Sequence, residues 1–212
     1  MNFFNLFQLL YVSTFLAIFV TRTITTLLKR NNPFSLGVGK RGVHVIIELS
    51  LIVFLFIWIY EVFVYSLGST RHIAPTPFHH MLFDIPFLKY AGVCINVIGM
   101  VLFVSALWAF RESWRMGIDK RNPGELITNG IFRISRNPIF FFIDLYFCGT
   151  FLIYPTPFFF IMAVLTVGVL HYQILKEERF LADHYGDSYT TYTGETGRYI
   201  SVCPRRHGKA AH

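Results

Sequence analysis

Charge is what this chain is short of. Lys, Arg, Asp and Glu make up 15% of its 212 residues, where a water-soluble domain carries about a quarter. Acidic groups are the scarcer kind, 12 against 19 basic ones, which leaves a net charge of +7. The shortage is concentrated in long stretches that hold almost no charge, and 54% of the chain is hydrophobic. A small soluble core could not absorb so much apolar sequence, so the composition excludes a soluble domain and implies an integral membrane protein. The positive charge is not a nucleic-acid footprint. Lys and Arg lie between the apolar runs, as they do in cytoplasmic loops, and no basic stripe interleaved with aromatics occurs elsewhere. No nucleic-acid partner is expected. Cysteine is rare too: Cys94 and Cys148 fall inside apolar runs and Cys203 lies in the tail. That spacing supports neither a redox pair nor a metal cluster, and the first two read as buried packing residues.

The apolar runs themselves give the architecture. Asn2–Leu28, Val43–Leu67 and Phe87–Phe110 are each long enough to span a bilayer, for which about 20 residues suffice. The first reads as a span rather than a cleavable signal, since no positive charge precedes it and its apolar part is too long. Ile139–Tyr154 and Phe158–Leu175 are shorter and flank Pro155-Thr156-Pro157, which predicts a tight helical hairpin. Lys176–Tyr192 is polar and helix-forming. Gly186 is expected to end that helix, and the basic tail after Gly194 to be irregular. The expected fold is therefore all-α: a polytopic membrane protein of about five transmembrane helices with a short C-terminal hairpin. It reads as one membrane domain over residues 1–212, with two N-terminal spans in 1–67 and a functional core in 87–200. Basic loops at 29–41, 111–136 and the C-terminus place the N-terminus outside and the C-terminus in the cytoplasm. The membrane would be the plasma membrane in a prokaryote and the endoplasmic reticulum in a eukaryote.

Polar residues inside the runs are few. Glu48 and Glu61 stand near the two ends of the second run and are expected to be hydrated. Asn96 is expected to bond a neighbouring helix, and Gly92 and Gly99 to allow close helix packing. Asp144 is an acid within a span, a functional candidate by default. It would line the entrance for a lipid-like substrate, or bond Tyr146, Asn96 or a backbone group. His72, His79 and His80 have no carboxylate or cysteine at ligand spacing in their loop. They read as part of a solvated loop, with no metal.

The chemistry points to two stretches. In Gly130-Ile-Phe132-Arg133-Ile-Ser-Arg136-Asn137-Pro138-Ile139-Phe140 a charged segment meets an apolar one, and Asn-Pro predicts a helix start. In His171-Tyr-Gln173-Ile-Leu-Lys-Glu177-Glu178-Arg-Phe-Leu181, helical spacing puts Gln173, Glu177 and Leu181 on one face, and His171 and Glu178 on another. Adjacent carboxylates where a membrane helix emerges are not needed for packing. Alone, they fit a solvated helix start beside Lys176 and Arg179 better than a site.

Together the two stretches read Gly-x-Phe-x-x-x-Arg-Asn-Pro-x-Phe, a hairpin, Glu-Glu-x-x-Leu-x-x-x-Tyr-Gly-x-x-Tyr-x-x-Tyr, and then Gly197-Arg198-Tyr199. This pattern resembles the isoprenylcysteine carboxyl methyltransferase family and, more distantly, the phospholipid N-methyltransferases that share its C-terminal core. It covers about Leu126 to Ile200. The resemblance implies S-adenosylmethionine-dependent methyl transfer at the cytoplasmic membrane face. The acceptor would be the carboxylate of a prenylcysteine-like or other small lipophilic molecule that enters from the bilayer, with membrane lipids as surroundings. A phospholipid amine is the alternative. The resemblance further implies that Glu125, Leu126, Ile127, Gly130, Phe132, Arg136, Asn137, Pro138, Ile139, Phe140 and Glu177 line the cofactor, and the phospholipid enzymes add Glu178.

The residue types suit that ligand. Carboxylates can hold an ammonium or ribose hydroxyls, Arg136 can pair with a carboxylate, and Phe132 or Phe140 can cover adenine. Methyl transfer needs in-line geometry and exclusion of water more than proton transfer, so no catalytic triad is expected. Arg136, His171 and Asp144 are the candidates for a catalytic role, and Gln173 and Arg133 for substrate contact. Two positions depart from the family: Gln173 stands where it has a substrate-contacting arginine, and Asn137 where the eukaryotic enzymes have histidine. Gln173 removes the cation expected for an acceptor carboxylate, leaving Arg133 or His171 to substitute. For an amine acceptor, a base such as His171 or Asp144 would matter more. A non-catalytic scaffold or channel subunit would carry more polar positions along its spans than Asn96 and Asp144. A reductase of the sterol-reductase type would need a larger loop than Arg111–Arg136.

Overall fold

The computed structural model describes residues 1–28, 43–110 and 126–201. Among these, six α-helices follow in order: α1 Phe3–Leu28, α2 Val43–Leu67, α3 Pro86–Phe110, α4 Pro138–Ile153, α5 Pro157–Tyr185 and α6 Asp187–Glu195. Among the described residues there is no strand. In hydrocarbon the backbone must satisfy its own hydrogen bonds, and helices do so within one segment. α1, α3 and α5 are long and apolar enough to cross a membrane, while the Ile52–Leu67 part of α2 and all of α4 are shorter apolar helices. The chain is an all-α polytopic membrane protein, and its five apolar runs correspond to α1–α5.

The two arms of the hairpin differ in length, and the longer one ends at Gly186 as expected. α4 has 16 residues, but α5 has 29 and runs straight past Leu175 into the polar segment. The end of apolarity is not the end of the helix, because Lys176 to His184 are good helix formers and the ladder continues into water. The break comes at Gly186, with φ +54 and ψ −125, a region that glycine alone enters readily. At the hairpin turn Thr156 caps α5 by accepting from Phe159 N (3.4 Å), with Pro157 in the first turn.

α3 and α4 lie closest together. A Cβ on Gly92 would come within 2.5 Å of the Gly149 carbonyl oxygen, and Gly99 faces Phe142 and Leu145, as the small-residue pattern predicts. Asn96 is buried at this seam. The amide orientation that satisfies it has its nitrogen donating to the Leu145 and Tyr146 carbonyls, 3.2 and 3.3 Å away. α1 joins through Tyr11, whose hydroxyl donates to the Asn96 carbonyl (2.9 Å), and through Gln8, which donates to Thr150 Oγ1 (3.2 Å). α2 adds Trp58, stacked on Phe147 at 3.9 Å and edge-on to Phe159 at 4.8 Å.

Three expectations are corrected. Cys94 and Cys148 are exposed on the outside of the bundle, not packed within it; a thiol is apolar enough to face lipid. Glu61 is fully buried, not hydrated, because the loop after α2 folds back over it. Asp144 bonds neither Tyr146 nor Asn96: its Oδ1 is buried without a hydrogen-bond partner among the described residues. The side chain of Glu48 lies outside the described residues.

Candidate active site

The segment before α4 is shaped by two backbone features. Gly130 has φ +60, which opens the short turn Gly130–Arg133. Asn137, at φ −131 and ψ 54, is held out of the helical region by the proline that follows, and Pro138 starts α4. The chain after Gly194 returns to this segment. Arg136 N donates to the Gly197 carbonyl (3.1 Å) and Ser201 N to the Ile134 carbonyl (2.8 Å). The tail is irregular from Thr196 to Ser201, as expected, but it is docked as a strap, because its main-chain groups find partners along 134–136.

Glu178 is the centre of this arrangement. One of its oxygens accepts from Arg198 Nε (3.0 Å) and Nη2 (2.7 Å). The other lies 3.1 Å from Arg136 Nη2 and accepts from Asn137 Nδ2 at 3.2 Å. Asn137 also donates to the Arg198 carbonyl, 3.3 Å away. The Glu178 hydrogen bond raises the Arg198 pKa above its usual value. Residues from both motif arms and the strap thus share one buried carboxylate, a network whose removal in part is costlier than its presence is stabilising.

The faces read from helical spacing hold. Gln173 donates to Glu177 at 2.9 Å, one turn on. His171 and Glu178, on the other face, meet consecutive strap residues: His171 Nδ1 lies 2.8 Å from the Tyr199 hydroxyl, and Glu178 takes Arg198. Tyr199 also packs edge-on against Phe141 at 5.8 Å. Burial is the largest influence raising the Tyr199 pKa, and Asp144 is the next, which places that carboxylate in its field.

A second cluster flanks the first. Leu126, Ile127 and Phe132 pack with Leu181, Tyr185, Tyr189 and Tyr192, and the Tyr192 hydroxyl donates to the Phe132 carbonyl (2.6 Å). Phe132 is therefore a packing centre. Ile139 and Phe140 stay half-buried in the first turn of α4, Pro138 is buried, and Gly130 and Arg133 are exposed. Glu125 lies outside the described residues.

Two buried polar atoms here have no hydrogen-bond partner among the described residues: Arg136 Nε and the Tyr189 hydroxyl. Burial, then Glu178, push the Tyr189 phenol up to about 12, with Arg136 and Arg198 opposing. An unmet donor on a cation and a neutral phenol beside paired carboxylates fit a ligand carrying both carboxylate and hydroxyl groups, as S-adenosylmethionine does. Arg198, Tyr189 and Tyr199 stand in the sequence pattern without a role there; only the docking of α6 and the return of the strap show what they touch.

At the other end of α4, the loop histidines do meet a carboxylate. Glu61 of α2 lies with His72 and His79, each offering a ligand atom within 4.8 Å of the others. The expectation of a solvated loop without a nearby acid is corrected, because spacing within the loop could not register an acid from the preceding helix.

Comparison with known proteins gives one family. No curated protein matches the chain. Residues 88–188 match the family described as phospholipid methyltransferase, which lies in the same membrane methyltransferase superfamily as the isoprenylcysteine carboxyl methyltransferases. The matched stretch runs from α3 to the start of α6 and contains Arg136, Asn137, Glu177 and Glu178, and it indicates a membrane methyltransferase.

Proposed function

We propose that this protein is an S-adenosylmethionine-dependent methyltransferase acting on a lipophilic acceptor at the cytoplasmic face of its membrane. The observation that carries the reading is the meeting of Arg136 and Asn137 with Glu178 at the open end of the α4–α5 hairpin, within the stretch that matches a methyltransferase family. Arg136 Nε would hold the cofactor's carboxylate, and Glu177 its ammonium or ribose. Tyr189 would bond a ribose hydroxyl, and Phe140 would cover the adenine with Leu126 and Ile127 beside it. When bound, the cofactor supplies an electrophilic methyl group on a sulfonium sulfur. Glu178 is a positioning residue: bound by Arg136, Arg198 and Asn137, it fixes the strap against α4 and α5. The strap and the first turn of α4 exclude water and align the acceptor, which is where most of the rate would come from.

The acceptor separates two readings. For a prenylcysteine-like carboxylate the nucleophile is already ionised, and Arg133 or His171 would orient it, since Gln173 is engaged with Glu177. For a phospholipid amine, Asp144, whose buried Oδ1 has no hydrogen-bond partner among the described residues, would hold an ammonium group. That amine must lose a proton before it attacks, and His171, beside Tyr199, would take it. The test is methyl transfer from radiolabelled S-adenosylmethionine in vesicles that contain either a prenylated cysteine analogue or phosphatidylethanolamine. Base-labile label on the cysteine analogue supports the carboxylate reading, and base-stable label on the lipid supports the amine reading. No transfer to either removes both acceptors.

A further inference from the structure

The far end of the bundle holds a group of residues that the methyltransferase reading does not use. Glu61 belongs to α2 and has no exposed surface. A carboxylate inside a span is costly unless compensated. Its one ion-pairing partner among the described residues is His72, whose Nδ1 lies 2.9 Å from Oε2. His79 is stacked on His72, with ring centroids 4.0 Å apart.

The surroundings of these three side chains are already arranged as ligand supports are. Glu61 Oε1 accepts from Ile73 N (2.6 Å) and Ala74 N (3.4 Å), which leaves Oε2 directed at the histidines. His79 Nε2 lies 2.5 Å from the Ala74 carbonyl oxygen. A carbonyl only accepts, so Nε2 carries the proton and the lone pair is on Nδ1. A backbone carbonyl fixing one ring nitrogen so that the other can ligate is the usual support of a metal-bound histidine. Near that Nδ1, at 3.0 Å, stands the Tyr65 hydroxyl, a movable partner. The loop is anchored besides by Leu82 N donating to the Pro155 carbonyl (2.7 Å). The cluster thus sits at the Pro155 end of α4, whereas Glu178 sits at the Asn137 end.

We propose that Glu61, His72 and His79 form a zinc-type divalent cation site that pins the α2–α3 loop to α2, on the membrane face opposite the Glu178 cluster. The ion takes the place of the proton between His72 Nδ1 and Glu61 Oε2, and His79 Nδ1 is the third ligand. Two imidazoles and one carboxylate suit Zn2+, whereas Ca2+ and Mg2+ favour sites made of oxygen alone. The three ligand atoms lie within 4.8 Å of one another. Around a tetrahedral zinc they stand roughly 3.4 Å apart, a difference that side-chain rotation closes. His72, with 19% of its side chain exposed, provides the entry side, and water fills the fourth position. This site is independent of the proposed methyl transfer.

The test is titration of the full-length, chelator-treated protein in detergent with Co2+, followed by visible absorption, and then competition with Zn2+. The expected result is one Co2+ per chain with the intense bands of a tetrahedral site, displaced by Zn2+. His79→Ala and His72→Ala should each weaken binding by about 100-fold or more. His80→Ala, a neighbouring histidine outside the cluster, should leave it unchanged. Absence of stoichiometric tetrahedral cobalt overturns the proposal, as does equal binding in folded His72→Ala and His79→Ala. X-ray absorption on the zinc-loaded wild type decides the matter if those variants do not fold. A shell with two imidazoles supports the site, and a shell of oxygen alone overturns it.

Discussion

Arg198 donates from both Nε and Nη2 to a single oxygen of Glu178, at 3.0 and 2.7 Å. That ion pair fastens the strap after α6 to the emerging end of α5. Glu178→Ala would leave Arg136 and Arg198 without their shared partner. We expect it to lower unfolding stability by about 3 kcal/mol. Arg198→Ala should cost less, about 1 kcal/mol, because that side chain is 35% exposed. Denaturant unfolding in detergent, with both variants beside the wild type, checks the order.

The Tyr189 hydroxyl has no partner among the described residues, so Tyr189→Phe should leave thermal stability near neutral pH almost unchanged. If the hydroxyl meets the cofactor, the same variant weakens S-adenosylhomocysteine binding by about 2- to 10-fold.

The same residue gives a pH dependence. Its folded phenol keeps the proton up to about 12, against 10.0 for an unperturbed tyrosine. A raised folded pKa means stability that is fully present below pH 10 and is lost as pH rises from 10 towards 12. Tyr189→Phe should flatten the alkaline limb of the unfolding midpoint plotted against pH.

At the α3–α4 seam, a Cβ on Gly149 would overlap the Asn96 side chain and lie 2.8 Å from the Gly92 carbonyl oxygen. Gly149→Ala should therefore destabilise the protein by about 1–3 kcal/mol. Gly168→Ala, where nothing lies within 4 Å of the added carbon, should not. Thermal unfolding of the two variants separates packing from a general effect of helix substitution.

Asp144→Asn distinguishes the acceptors. If Asp144 holds an ammonium group, kcat/KM for an amine acceptor should fall by at least about tenfold, with S-adenosylhomocysteine affinity unchanged. With a carboxylate acceptor the same change should leave kcat/KM the same or raise it.

Much of this was legible in the sequence. Apolar runs long enough to span, and a proline at each hairpin helix start, marked α1–α5, because lipid imposes length and helix on any spanning segment. Helical spacing put Gln173 and Glu177 on one face and His171 and Glu178 on another; that Gln173 bonds Glu177, and that the second face meets Tyr199 and Arg198, came from the structure. What stayed hidden were contacts made by chain reversal. The strap reaches Glu178 only because residues after Gly194 turn back along 134–136, and Glu61 meets the histidines only because a loop folds over α2. Neither reversal leaves a periodic signature. Phe132 is a further case: the pattern drew attention to its position, but not to the tyrosines of α6 that pack around it.

The central claim is that the residues around Glu177 and Arg136 bind S-adenosylmethionine, and calorimetric titration of the purified protein with S-adenosylhomocysteine tests it most directly. Wild-type protein should bind one ligand per chain, and Glu177→Ala, still folded by circular dichroism, should bind roughly 10- to 100-fold more weakly. No binding by the wild type would contradict the methyltransferase reading, and unchanged affinity in the folded variant would contradict the place given to the site.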